Sequence, residues 1–246
     1  MNENMTENEM IQLAICLSKY DPDRIKHHAK HFNKTAWKWI AGNLAEYHPE
    51  QLIKHANHFL MKTTWQLIGK TLARYNPDHL EKYVDAVDDI AFNWRGTGIA
   101  LAQYHPDYLE KLTNHFFRDD WKWIAGALAE YNLSFLRKYA KNYDEDAWHL
   151  AAVSLAQYHP EQLENYAEHF NEQAWYWIAI RLAEYKPLFL EEYVNHFNEN
   201  SWRRIAEILA KKYPDYLEKY SEYFDKYTWK VIAILYYVIS QNMLKS

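Results

Sequence analysis

Tryptophan is the ruler of this chain. Trp37, Trp65, Trp94, Trp121, Trp148, Trp175, Trp202 and Trp229 follow one another at intervals of 27 to 29 residues. Proline keeps the same register: Pro22, Pro49, Pro77, Pro106, Pro160, Pro187 and Pro214 each stand 15 to 17 residues before one of those tryptophans, and Leu133 fills the slot in the remaining unit. Two unrelated residue types in one register mark eight tandem units of about 27 residues. A period of that length belongs to stacked repeat architectures.

Within a unit the pattern reads Y-H-P-E-x-L-x-x-Y-A-x-H-F-N-x-x-A-W-x-x-I-A-x-x-L-A-x-Y. Proline suits the first turn of a helix, where its missing N–H is not needed, and the acidic residue that usually follows it (Asp23, Glu50, Asp78, Asp107, Glu161, Asp215) complements the helix dipole. The first helix is expected from Pro49 to about Phe59 with Leu52, Ala56 and Phe59 on one face. Asn33, Asp144, Asn171, Asn198 and Asp225 are placed to cap the second helix. That helix carries Trp37, Ile40, Ala41, Leu44 and Tyr47 as an amphipathic stripe.

Each helix alone is marginal at about three turns, so the hairpins must stack to bury their stripes. The expectation is an all-α chain of one domain, 1–246: an αα-hairpin solenoid with an N-terminal capping helix within 1–20, eight units over 21–240 and a polar tail at 241–246. The third unit is irregular. It has two extra residues, an acidic stretch VDAVDDI, and Gly96 and Gly98 inside its second helix, which predicts a local bend or a place where a partner nears the backbone.

Composition narrows the class. A net charge of −5 disfavours phosphate-backbone binding, which normally needs a basic surface. The single Cys16 allows no intrachain disulfide. The start, MNENMTENEM, is unlike a signal peptide, and no run of 18 apolar residues exists to span a membrane, so a cytoplasmic location is expected. In general pattern the chain resembles HEAT-like and leucine-rich-repeat-variant α-solenoids, which implies short paired helices stacked into a curved rod. The cysteine cluster of some variant-repeat proteins is absent.

Three tryptophans fall outside the core register: Trp39, Trp123 and Trp177. On a helical wheel they lie away from the Ile/Leu stripe, in a slot that other units fill with Leu67, Gly96, Leu150, Arg204 and Val231. One reading packs them along the wall of neighbouring second helices. The other makes them a partner-binding strip, since exposed aromatic rows mark recognition. Lys70, Arg74, Arg181 and Arg204 join that strip as partners for acidic groups, among Glu46, Glu130 and Glu184.

Histidine recurs in two places. His31, His58, His115, His169 and His196 end the first helix, where a donor complements the dipole and bonds the last carbonyls; Ala86, Asn142 and Tyr223 fill the same slot, so a metal site is not expected. His48, His105 and His159 precede proline and read as polar caps. The recurrent tyrosines, at Tyr83, Tyr139, Tyr166, Tyr193 and Tyr220 and again at Tyr20, Tyr47, Tyr75, Tyr104, Tyr131, Tyr158 and Tyr185, read as packing residues at the core edge.

No phosphate-binding glycine loop, HExxH, G-x-S-x-G or reactive-cysteine setting is present, and no cofactor is implied. The expected function is therefore non-enzymatic binding of a protein or peptide, as scaffold, adaptor or inhibitor, through the variable face of the second helices. The alternative is a nucleic-acid-binding HEAT-like solenoid, and such proteins include DNA glycosylases that set tryptophans and acidic residues around a base. The tryptophans at 39, 123 and 177 with Glu46, Glu130 or Glu184 imitate that arrangement.

Overall fold

In five repeats the residue four before the core tryptophan sets where the long helix starts. Asn33, Asp144, Asn171 and Asn198 each accept a hydrogen bond of 2.9 Å from the backbone N–H three residues on, and Asp225 accepts one from Thr228 at 2.6 Å. These are the five expected caps, and each satisfies a backbone donor that has no partner inside the helix. Thr6 and Glu9 form a reciprocal capping box at the first helix.

The computed structural model describes residues 5–84 and 93–243, which hold no strand; the chain is all-helical, with successive helices packed together. The long helices are α1 (Glu7–Tyr20), α2 (Lys34–Tyr47), α3 (Lys62–Tyr75), α4 (Trp94–Tyr104), α5 (Arg118–Tyr131), α6 (Glu145–Tyr158), α7 (Glu172–Tyr185), α8 (Glu199–Lys212) and α9 (Lys226–Met243). Contacts divide the chain into two compact units, Met1–Ile124 and Ala125–Ser246. In the first, α1 packs on α2, α2 on α3 and α3 on α4; in the second, α6 packs on α7, α7 on α8 and α8 on α9.

The buried face of the long helices is two rows wide where it is fully described. In α2 it comprises Trp37, Ile40 and Leu44 beside Ala36, Ala41 and Ala45. The small row lets neighbouring helices approach. At Gly98, which stands in that row, an added Cβ would lie 2.6 Å from Ile124 Cδ1, so no larger residue fits without displacing the neighbour. Gly96 has a different setting from the one expected. Helix α4 starts at Trp94, capped by Asn93, so Gly96 lies in the first turn rather than inside the helix and donates to the Asn93 side chain. The helix runs unbroken through both glycines.

The segments joining the long helices depart from the expected first helix. Instead of three α-turns, they are short mixed elements: Pro49–Gln51 is 3₁₀, Leu52–His55 is α, and Ala56–His58 is 3₁₀ again. Pro160–His169 is 3₁₀, and Pro187–His196 is 3₁₀ with a kink at Tyr193 (φ −117°, ψ 15°). The reason is the spacing of the buried positions. Pro160, Leu163 and Tyr166 recur every third residue, as do Pro49, Leu52 and His55. A period of 3.0 lines them up on a 3₁₀ helix, whereas at 3.6 residues per turn they would drift round the axis. His55, not Ala56, joins Leu52 and Phe59 inside.

Several arms are tied to the one before them by a tyrosine hydroxyl. The Tyr193 hydroxyl donates to the Pro160 carbonyl at 2.6 Å, Tyr220 to Pro187 at 2.8 Å, and Tyr83 to Pro49. Burial pushes the Tyr193 hydroxyl up to about 12, which keeps it a donor. The expected role of this tyrosine set, ring at the core and hydroxyl on neighbouring backbone, holds for these residues. The histidines before proline act as caps as expected. Nε2 of His48, His105 and His159 donates at 3.0 Å to the carbonyls of Lys19, Arg74 and Glu130, closing the C-terminal end of the preceding long helix.

Helix α9 continues to Met243, so residues 241–243 are helical rather than tail. The acidic segment 85–90, the side chains of Tyr236 and Val238, and residues 244–246 lie outside the described residues.

Candidate binding face on the long helices

The position two residues after each core tryptophan points away from the small and large buried rows. Trp39, Trp123 and Trp177 occupy it and are 50 %, 41 % and 38 % exposed. The covered side of two of these rings meets the preceding helix. The Arg95 guanidinium stands 5.5 Å from the Trp123 ring, and the His149 ring meets Trp177 edge-on at 6.2 Å. Burial pushes the His149 imidazole below its ordinary value, so it meets the indole in its neutral form. Wall packing and outward exposure are therefore both properties of Trp123 and Trp177.

The cations expected beside them are mostly engaged within the protein. Arg181 pairs with Glu184 at 3.1 Å, and Arg204 with Glu207. The Arg74 guanidinium lies over Tyr75 and Tyr104, 5.0 and 4.8 Å from the ring centres. Lys70 is exposed on α3. Trp39, Lys70, Arg74 and Trp123 belong to the first compact unit, and Trp177, Arg181 and Arg204 to the second.

Trp177, Arg181 and Arg204 do come together. They line an open groove of about 900 Å³ between α7 and α8, with Tyr176, Ile180 and Arg203. Glu172, at the start of α7, also lines it and accepts from the Asn198 amide, so its charge is already bonded to the cap of α8. Arg203 was not among the residues expected here, and it is the least committed charge in the groove. Its guanidinium lies 4.4 Å above the Tyr227 ring, its Nε is buried without an acceptor, and it forms no ion pair among the described residues. Asp225 is held below the usual carboxylate range chiefly by hydrogen bonds from Thr228, with a smaller part from the Arg203 charge. The sequence did carry a signal for Arg203. The slot directly after the core tryptophan varies as much as the tryptophan slot itself, holding Lys38, Gln66, Arg95, Lys122, His149, Tyr176 and Arg203.

Two readings from the sequence are corrected. His58, His169 and His196 do not serve the local carbonyls but stack on tryptophan: Trp37 on His58 at 4.1 Å, Trp148 on His169 at 4.0 Å and Trp175 on His196 at 3.8 Å, with rings within 9° of parallel. Tyr223 takes the same place on Trp202. The stacked partner lies one unit further along the chain, which no local pattern reveals. The tyrosines ending the long helices are exposed rather than packed, because the last helical residue projects beyond the buried rows.

No group of three or more His, Cys, Asp or Glu side chains among the described residues is arranged to hold a metal ion, and none of the described helices is long and apolar enough to cross a membrane. No protein-family model, curated protein or solved structure matches the chain.

Proposed function

We propose that the chain is an eight-unit α-solenoid, opened by α1 as an N-terminal cap, that binds a protein or peptide partner through the outward face of its long helices. It works as a scaffold, adaptor or inhibitor rather than as an enzyme. The repeated caps support the repeat reading. So do the hydrogen bonds between neighbouring repeats within a compact unit, such as Tyr193 to Pro160 and His159 to Glu130.

The groove between α7 and α8 carries the binding reading. It sets an indole and a phenol, Trp177 and Tyr176, beside the Arg203 guanidinium, which forms no ion pair among the described residues. Aromatic rings and arginine are the side chains that concentrate binding energy at interfaces. A peptide fits this lining when it places an apolar side chain on the rings and a carboxylate on Arg203.

The test is selection of peptides from a displayed random library against the full chain, followed by titration of the selected sequences. Apolar-acidic peptides are expected, and Trp177→Ala and Arg203→Ala are each expected to weaken them about tenfold, the usual loss at an interface anchor. Selected peptides indifferent to both substitutions would remove the groove from the account. Salt-sensitive binding to DNA or RNA in place of peptide would favour a nucleic-acid solenoid instead.

A further inference from the structure

The first unit presents a second surface. Tyr20, Tyr47, Tyr75 and Tyr104 are the last helical residues of α1, α2, α3 and α4, and all four rings are 40 % to 72 % exposed. Their helices pack in succession. The C-terminal ends lie side by side, since His48 donates to Lys19 O, Asn76 to Ala45 O and Glu46 O, and His105 to Arg74 O. The rings therefore form a row.

A shared cation bridges two of the three gaps in that row, and the Asn76 bonds to the end of α2 close the third. Lys19 Nζ lies 5.5 Å from the Tyr20 ring centre and 4.8 Å from that of Tyr47. The Arg74 guanidinium carbon lies 5.0 Å from Tyr75 and 4.8 Å from Tyr104. Rings that share one cation in this way stand no more than about 10 Å apart, the ~8–10 Å at which packed helices repeat.

A polyproline II helix has three residues per turn and rises about 3.1 Å per residue, so it presents the same edge every ~9 Å. That repeat matches the tyrosine row. Aromatic-lined tracks bind such segments because the ligand is already extended and little chain entropy is lost on docking. We propose that this row is a docking track for a proline-rich segment in the polyproline II conformation, roughly ten residues long for four rings. Successive rings take every third residue, and Lys19 and Arg74 stand between rings, where the peptide carbonyls need donors.

The charges beside the row favour this occupant over a nucleic acid. Three residues after each ring, counting from its own helix end, the next arm opens with an exposed carboxylate: Asp23, Glu50, Asp78 and Asp107. A phosphate backbone laid along the rings would run past all four, whereas a proline-rich peptide carries no such charge. The track lies wholly in the first unit and shares no residue with the α7–α8 groove, so failure of either surface leaves the other standing.

The experiment is titration of the full chain with decaproline, followed by isothermal calorimetry, with a glycine–serine decapeptide and a ten-nucleotide oligouridylate in parallel. Decaproline is expected to bind and the other two are not. Replacing Tyr47, Tyr75 and Tyr104 together with alanine is expected to weaken decaproline at least tenfold. The same three positions changed to phenylalanine keep the rings and are expected to hold affinity within about threefold, with circular dichroism confirming both folds. Decaproline that fails to bind overturns the proposal, and so does binding unchanged in the alanine variant. A phenylalanine variant as weak as the alanine one, or oligouridylate outcompeting decaproline, overturns it as well.

Discussion

His55 stands in a slot that other arms fill with tyrosine, and it is buried against Trp37, ring centres 5.8 Å apart. Tyr83 in that slot donates to the Pro49 carbonyl of the arm before it, a bond an imidazole is not placed to copy. Burial, with smaller contributions from the nearby His58 and Lys54 charges, pushes the His55 pKa below its ordinary 6.5. The folded chain therefore binds fewer protons here than the unfolded chain once the pH falls below the unfolded value. Stability at this residue is complete above about 6.5 and is lost as the pH drops toward the lower folded value. The His55→Tyr variant is expected to lose that acid sensitivity and to gain about 1 kcal/mol from a hydroxyl bond to the Pro22 carbonyl. Urea midpoints at pH 7.5 and pH 5 check both parts; equal acid losses in the two proteins would contradict the account.

Helix α3 starts without a side-chain cap. Its N-cap position holds Met61, which makes no side-chain hydrogen bond, where α2, α6, α7 and α8 have Asn or Asp. The backbone at Met61 is already extended, as a capping residue requires. Met61→Asn is expected to raise stability by about 1 kcal/mol, measured as the shift in the denaturation midpoint. This element was legible because helix starts are local chemistry: a short polar side chain, then three residues to its donor. The arms were not. Leu52, Ala56 and Phe59 fit an α-helical wheel, yet the buried set is Leu52, His55 and Phe59. A period-3 arrangement shows only when Pro, Leu and Tyr are counted together across several units. The binding face was half legible for the same reason. The wheel placed Trp177 outward, but Arg203 and the exposed tyrosines depend on where a helix ends and which neighbour covers it.

Within each compact unit, the hydrogen bonds that join repeats run to the neighbouring repeat. Tyr83 to Pro49, Tyr220 to Pro187 and His48 to Lys19 each span about one repeat period, and the contacts close into two units, Met1–Ile124 and Ala125–Ser246. A chain held by nearest-neighbour contacts transmits a local defect only as far as its interfaces carry it. Leu72 is fully buried in α3, so Leu72→Ala leaves a cavity and removes about 2–5 kcal/mol from that neighbourhood. If stability is local, amide exchange in α2, α3 and α4 accelerates while α7 and α8 keep their protection, because opening free energies differ between cooperative segments. Equal loss in α7 and α8 would mean that the two units open as one block. Binding would then feel the substitution as well: local opening leaves peptide affinity at the α7–α8 groove unchanged in Leu72→Ala, whereas cooperative opening lowers it in step with the fraction unfolded. Hydrogen exchange and peptide titration on the same variant therefore read one property, the reach of a repeat's contacts, by two independent routes.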